Sequence, residues 1–207
     1  MRCRLAKEIN LIRSIWIMDI CDAILRRRSI RKFTDKKIDN EILIGLADFA
    51  RLAATGANMQ PLKFGIITEN DLLGKIFPHI KWAGYLPGET PSEKERPTAY
   101  FAIFADKEIK KECQFEAGSA GTSVVLGAME YGIASCWLGA IEREKIMDII
   151  GASKDRYSLL YLIALGYPAQ ESKAVPMIDG DVKYYKDEDA KICVPKRSME
   201  EVLIIKK

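Results

Sequence analysis

Eight residues near the start of the chain concentrate its most reactive-looking chemistry. Arg26, Arg27, Arg28, Ser29, Ile30, Arg31, Lys32 and Phe33 place four arginines, a lysine and a serine together, with single apolar residues spaced among them. A guanidinium is a planar fork of donors that stays charged and meets phosphate oxygens two at a time. A serine hydroxyl adds one short donor. The stretch follows an apolar run from Ile20 to Leu25, so it falls at a helix end or in the turn after it, a place suited to a small phosphate. Taken alone, a basic cluster is more often a solvated face. A second candidate is Ala57-Asn58-Met59-Gln60-Pro61, where two side-chain amides offer donor and acceptor side by side, as the edge of a heterocycle requires. A turn held by Asn and Gln would carry the same residues.

The elements that must position these groups follow from apolar spacing. Ile20, Ala23, Ile24 and Leu25 predict a helix between Asp19 and Arg28. Asp39 reads as the N-cap of a second helix, with Glu41 in its first turn and Ile42, Leu46, Phe49, Ala50 and Ala53 on one face, breaking at Thr55-Gly56. Strands are expected at Phe64–Thr68, Tyr100–Ala105, Ile133–Leu138 and Leu159–Leu165, and helices at Asp71–Phe77, Phe115–Tyr131 and Glu142–Ile150. The Phe115–Tyr131 helix is rich in Ala, Gly and Ser, which lets another helix or a flat ring come close; tight packing in the core or across a dimer seam is the expectation. Gly139 is read as permitting close backbone approach or positive φ. Residues 78–97, with Trp82 and Tyr85, form a long irregular segment of the kind used as lids or excursions. Ala169–Cys193 reads as polar, irregular surface, followed by a second basic pair, Lys196 and Arg197.

Composition narrows the classes. The 207 residues suit one domain with a sizeable core, and 48% hydrophobic with 29% charged is ordinary for a globular protein. A net charge of +3, from 32 basic and 29 acidic residues, is too balanced for bulk nucleic-acid binding. Five dispersed cysteines without a CxxC pair fit a reducing cytoplasm, not a disulfide framework, zinc knuckle or iron–sulfur cluster. With His79 as the single histidine, no metal site is expected. The apolar stretch Ile9–Leu25 is interrupted by Arg13, Asp19 and Asp22, so no membrane span is expected. Residues 1–17 read as an N-terminal extension, or as the product of a start codon assigned too far upstream, and residues 18–207 as a single domain. No GxGxxG or P-loop motif occurs.

In order along the chain, RRRSIRKF, TGANMQP, CWLGA, ALGYP and PKRSMEEV resemble the FMN-dependent nitroreductase family from about Met18 to Val202. The resemblance implies an α+β fold, a four- or five-stranded mostly antiparallel sheet flanked by helices, in an intertwined homodimer whose C-terminal tails cross between subunits. It implies FMN at the interface. Arg27, Arg28, Ser29 and Arg31, with Lys196 and Arg197, would clamp the phosphate. Thr55, Gly56, Asn58 and Gln60 of the partner would meet the flavin and its ribityl chain. The backbone of Trp137, Leu138 and Gly139 would lie by the flavin N5 edge. NADH or NADPH would be the electron donor, and a small-molecule acceptor such as a nitroaromatic or quinone would be reduced in a ping-pong scheme. No catalytic side chain is implied. Departures are Ala54-Thr55 where the family often has Pro-Ser, and Leu62 where it often has Trp. The alternatives are a specialised enzyme of the same fold (dehydrogenase, dehalogenase or flavin-modifying) or a flavin-binding protein without turnover.

Overall fold

The computed structural model describes residues 18–86 and 88–206; the extension assigned to residues 1–17 lies outside them. Four strands, β1 (Leu62–Ile67), β2 (Ala99–Asp106), β3 (Ala134–Leu138) and β4 (Tyr157–Gly166), form an antiparallel sheet in the order β1-β2-β4-β3. All of β2 is buried, as an unbroken apolar strand covered on both faces should be. Helix α1 (Ile20–Arg26) buries Ala23 outside the two core clusters, and helices α2 (Asn40–Arg51), α3 (Asn70–Ile76), α4 (Gln114–Met129) and α5 (Arg143–Ile150) divide between them. Leu73 and Ile76 of α3 and Ile146 and Met147 of α5 pack on one face of the sheet; Leu43 and Leu46 of α2 and Ala117, Ala120 and Val124 of α4 pack on the other. This is the α+β arrangement the sequence implies. Among the described residues no helix is long and apolar enough to cross a membrane.

The small residues of α4 admit rings from the protein's own chain. A Cβ on Gly121 would fall 2.1 Å from the Trp137 ring, and one on Gly127 would fall 2.4 Å from that of Phe49. Those separations are closer than atoms can approach, so glycine is required at both positions. Helix α2 stops at Arg51, short of Thr55, because Leu52 donates back to Asp48 and Ala50 and closes the last turn. Its N-cap is Asp39 by position, yet the Asp39 side chain makes no capping hydrogen bond. Trp82 is buried against Phe77, with ring centroids 5.7 Å apart, so it covers the core, whereas Tyr85 is exposed.

Residues 169–193 depart from the expected irregular surface. Strands β5 (Ser172–Pro176), β6 (Tyr185–Lys186) and β7 (Ile192–Lys196) form a second sheet in the order β5-β7-β6, with β5 and β7 parallel. Parallel pairing joins distant segments, and only Ile192 and Cys193 of β7 are buried. So short an apolar signal hides among lysines and acids. A four-residue helix, α6 (Met199–Val202), follows with a capping box from Ser198 and Glu201.

Gly121→Ala should overpack the α4–Trp137 contact and destabilise the fold by about 1–3 kcal/mol. A urea midpoint equal to that of the wild type would show that the ring is not seated on Gly121.

Candidate functional site

The basic segment is fixed to the sheet by its apolar members. Phe33 is 1% exposed, and its ring sits where a Cβ on Gly166 would be, 2.7 Å away. The glycine at the end of β4 is therefore what admits Phe33. Ile30, also buried, donates its N–H to Ser135 O at 2.9 Å, and Ser29 forms a parallel bridge with Ser135 of β3. The Gln170 Oε1 accepts the Arg31 and Lys32 N–H groups at 2.9 and 2.7 Å. The apolar residues scattered through the cluster thus anchor it, and the basic ones are held along the open edge of β3.

Three predicted clamp residues converge there. The charges of Arg31 and Arg27 both act on the buried Cys136 thiol, and the Ser29 hydroxyl reaches it; burial nonetheless pushes that thiol up. Among the described residues neither Arg27 nor Arg31 has a carboxylate partner; the Arg31 guanidinium instead stacks 4.6 Å from the Tyr184 ring centroid. Arg28 differs. Its guanidinium turns back to Leu25 O at 2.9 Å and to Arg27 O, capping α1, and its Nε is buried without a partner among the described residues. Burial, then the neighbouring Arg27 charge, lowers its pKa. Packing like charges together without an acid disfavours the site unless an anion is supplied.

The backbone of β3 completes this edge. Side chains and hydrogen-bonding groups alternate along a strand, so the backbone groups of Trp137 point the same way as the Ser135 carbonyl, away from β4, and the strand ends at Leu138, one residue before Gly139. Gly139 has neither positive φ nor a close approach: a Cβ would meet Tyr161 at an ordinary 3.6 Å. The turn after β3 is held by the Arg143 Nη2, which donates to Gly139 O at 3.0 Å and Leu160 O at 3.1 Å.

The amide loop lies elsewhere. It leads into β1, whose Leu62 is level with Ala105 and, through β2, with Ser158, whereas Ser135 is level with Leu165. Seven residues along β4 and three strand spacings across put the loop and the basic segment at opposite corners of the sheet, on the order of 25 Å apart. The loop holds a set shape. Gln60 N donates to Thr55 Oγ1 at 3.2 Å and Gln60 Nε2 donates to Asn58 O at 3.3 Å. Ala57, Asn58 and Gln60 have φ of 49°, 54° and 50°, a left-handed conformation that costs non-glycine residues on the order of 1 kcal/mol each. Lys196 and Arg197 end β7, and Arg197 Nη1 pairs with Glu201 at 3.1 Å. Among the described residues no hydrogen bond or ion pair joins them to the basic segment.

Sequence reasoning missed five supports. Gln170, Tyr184 and Arg143 act through contacts across the fold that leave no local pattern. Glu116 had a visible signal, an acid among small apolar residues at the start of a helix. It is 1% exposed, and Lys110 Nζ donates to it at 2.7 Å. Asp106 is likewise buried at the end of β2, where Arg156 Nη2 donates to Oδ2 at 3.1 Å and the Glu108 N–H donates to Oδ1 at 3.2 Å.

Residues 24–167 match the profile of the Nitroreductase family, so the chain belongs to that family. It is 28% identical over 156 residues to an Archaeoglobus fulgidus protein with a provisional NADH dehydrogenase/NAD(P)H nitroreductase name, across 72% of this chain and 84% of that one. It is 23% identical over 183 residues to a Bacillus subtilis FMN reductase (NADPH), across 80% and 72%. The crystal structure of a Desulfovibrio desulfuricans protein, provisionally a nitroreductase and in complex with FMN, superposes with a TM-score of 0.69 at 22% identity, covering 93% of this chain and 99% of that one; the fold is shared.

The Arg156 guanidinium holds the Asp106 carboxyl below its ordinary range, helped by the Glu108 N–H. A carboxylate depressed in the folded state stabilises fully above its unfolded pKa, about 4, and that contribution fades as pH falls through the folded value. Melting temperature should therefore fall below about pH 4, and Asp106→Asn should lower it at neutral pH while flattening the acid limb. Parallel limbs for the two proteins would rule out this linkage.

Proposed function

We propose that the chain is an FMN-dependent oxidoreductase that uses NADH or NADPH to reduce small acceptors such as nitroaromatics or quinones, acting as a cytoplasmic homodimer. The observation that carries the reading is the pairing, on one strand edge, of uncompensated cations with outward backbone donors. Ser135 on β3 and Gly139, one residue past its end, are four residues apart, about 13 Å, a span that suits a ligand with an anionic tail and a flat head. The donor set fits FMN, which the Desulfovibrio desulfuricans protein binds: Arg27, Ser29, Arg31 and the Arg28 Nε offer charge-assisted bonds to a phosphate.

Bound there, FMN would supply hydride and electron transfer chemistry. The chain's own part is to bind and orient. Arg27 and Arg31 fix the phosphate end. The outward N–H of Trp137, with the Gly139 backbone in the turn just beyond it, would stabilise negative charge on a reduced ring. Lys196 and Arg197 would add to the phosphate field once the tail is ordered against a partner. Thr55, Gly56, Asn58 and Gln60 serve the ring from a second chain, because their own chain's cations lie across the sheet. A groove of about 460 Å³ between α1, α2 and α4, lined by Ile20, Phe49, Leu52 and Leu126, supports such pairing, as do the exposed tail residues Leu203, Ile204 and Ile205.

The purified protein, saturated with FMN and gel-filtered, should retain flavin absorption bands that bleach anaerobically with NADH or NADPH. Retained bands that do not bleach would mean flavin binding without turnover, and loss of all bands would refute the site. Arg31→Ala should weaken FMN binding roughly tenfold or more, the cost of one charge-assisted contact, in a protein that stays folded by circular dichroism. Unchanged affinity would remove Arg31 from the clamp.

A further inference from the structure

The amide loop keeps a left-handed backbone at three non-glycine residues, so something outside it must hold it there. Its exit is fixed by the Asp106 N–H, which donates to Pro61 O at 2.9 Å. At its entrance, Gly56 sits against the Glu116 carboxylate: a Cβ on Gly56 would lie 3.4 Å from Oε1. Lys110 does most to keep that carboxylate charged, the N–H of Glu116 itself comes next, and the Gly56 N–H adds the smallest share. Lys110 is itself placed by Asp106, because the Lys110 and Ile109 N–H groups both donate to Asp106 O at 3.0 Å. Two buried acids thus meet both ends of the loop through one short turn, residues 106–110.

Ionised carboxylates are rarely buried without a purpose that repays their desolvation. The core around Glu116 is apolar: Ala117 and Ala120 on the same helix are fully buried. Oε1 has Lys110, but Oε2 is buried with no partner among the described residues. A glutamine there would lose the negative charge that pairs with Lys110 yet could still accept through its amide oxygen. An alanine would leave the loop entrance unheld.

We propose that Glu116, anchored by Lys110, is the positioning residue that fixes the Thr55–Gln60 loop in the shape with which its amides meet the flavin ring. This rests on the function proposed above. Glu116 touches neither cofactor nor substrate in this scheme. It acts through the Gly56 backbone, and its effect is local to the loop.

The test compares the wild type, Glu116→Ala, Glu116→Gln and Leu73→Ala as full-length proteins. Leu73 is buried on α3, on the other face of the sheet, and serves as a destabilised control. Two quantities are read: amide hydrogen exchange of the 55–60 segment without cofactor, and the dissociation constant for FMN by fluorescence quenching. Glu116→Ala should speed exchange of the Gly56, Asn58, Met59 and Gln60 amides and raise the FMN constant about tenfold, as expected for loss of a charge-assisted bond. Glu116→Gln should shift both in the same direction but less. Leu73→Ala should lower the melting temperature while leaving both near wild type. If Glu116→Ala does not fold, Glu116→Gln decides, and its matching the wild type in both readouts overturns the proposal. Loop exchange and affinity unchanged in Glu116→Ala, or changed equally in Leu73→Ala, also overturn it. A wild type that fails to bind FMN overturns the function instead, and the exchange data still judge whether Glu116 holds the loop.

Discussion

The candidate site depends on one backbone contact, the Ile30 N–H donated to Ser135 O. It fastens a segment carrying four arginines to the open edge of β3. Without it the cluster would be a mobile basic tail after α1, with no fixed relation to the β3 backbone. The contact is itself secured by burial of Ile30 and Phe33 on either side of Arg31 and Lys32. Burying a ring such as that of Phe33 stabilises by about 2 kcal/mol, enough to hold several residues of backbone in place. The cost of holding cations together is met by that packing; Lys32 pairs with Glu89 and Glu95 at 3.5 and 3.3 Å, and the charge of Arg27 and Arg31 remains for an anion.

The second constraint is topological. An antiparallel sheet in the order β1-β2-β4-β3 puts the segment before β1 and the segment bridged to β3 at its two far edges. The strand registers then send them to opposite ends. No side-chain rearrangement within one chain closes a gap of that size. A ligand served by both segments would need two copies of the chain, and the proposed dimer would then have a chemical role beyond burial of apolar surface. The small sheet adds a further tie: Arg31 stacks on Tyr184, and Tyr184 on Tyr85 at 5.1 Å, so the 78–97 segment reports on the same arginine that would hold the phosphate.

Most of the fold was legible because its strands are apolar runs and its helices keep a clear period. The four main strands and five main helices occur where Ile, Val, Leu and Phe spacing puts them, within a few residues. Two of the quoted motifs meet directly, Phe33 of RRRSIRKF against Gly166 of ALGYP, and Trp137 of CWLGA sits on Gly121 of α4. The second sheet was not legible, because β5 and β7 each bury too little to leave an apolar pattern and their parallel pairing is non-local. The back-folding of Arg28 was hidden for a related reason. A guanidinium satisfies carbonyls at a helix end as readily as a phosphate, and composition cannot say which it does. The shape of the 55–60 loop depended on Glu116 and Asp106, whose roles emerge only once the chain is folded.

The sharing of sites between chains is tested most directly by subunit complementation. One variant would carry Arg27→Ala and Arg31→Ala, the other Asn58→Ala and Gln60→Ala, each impaired in FMN binding alone. Co-refolded in equal amounts, the mixture should regain FMN in about a quarter of its sites, since each mixed dimer holds one intact site. No recovery, in a mixture shown to contain mixed dimers, would mean that each site is built within a single chain and would contradict the two-chain assignment.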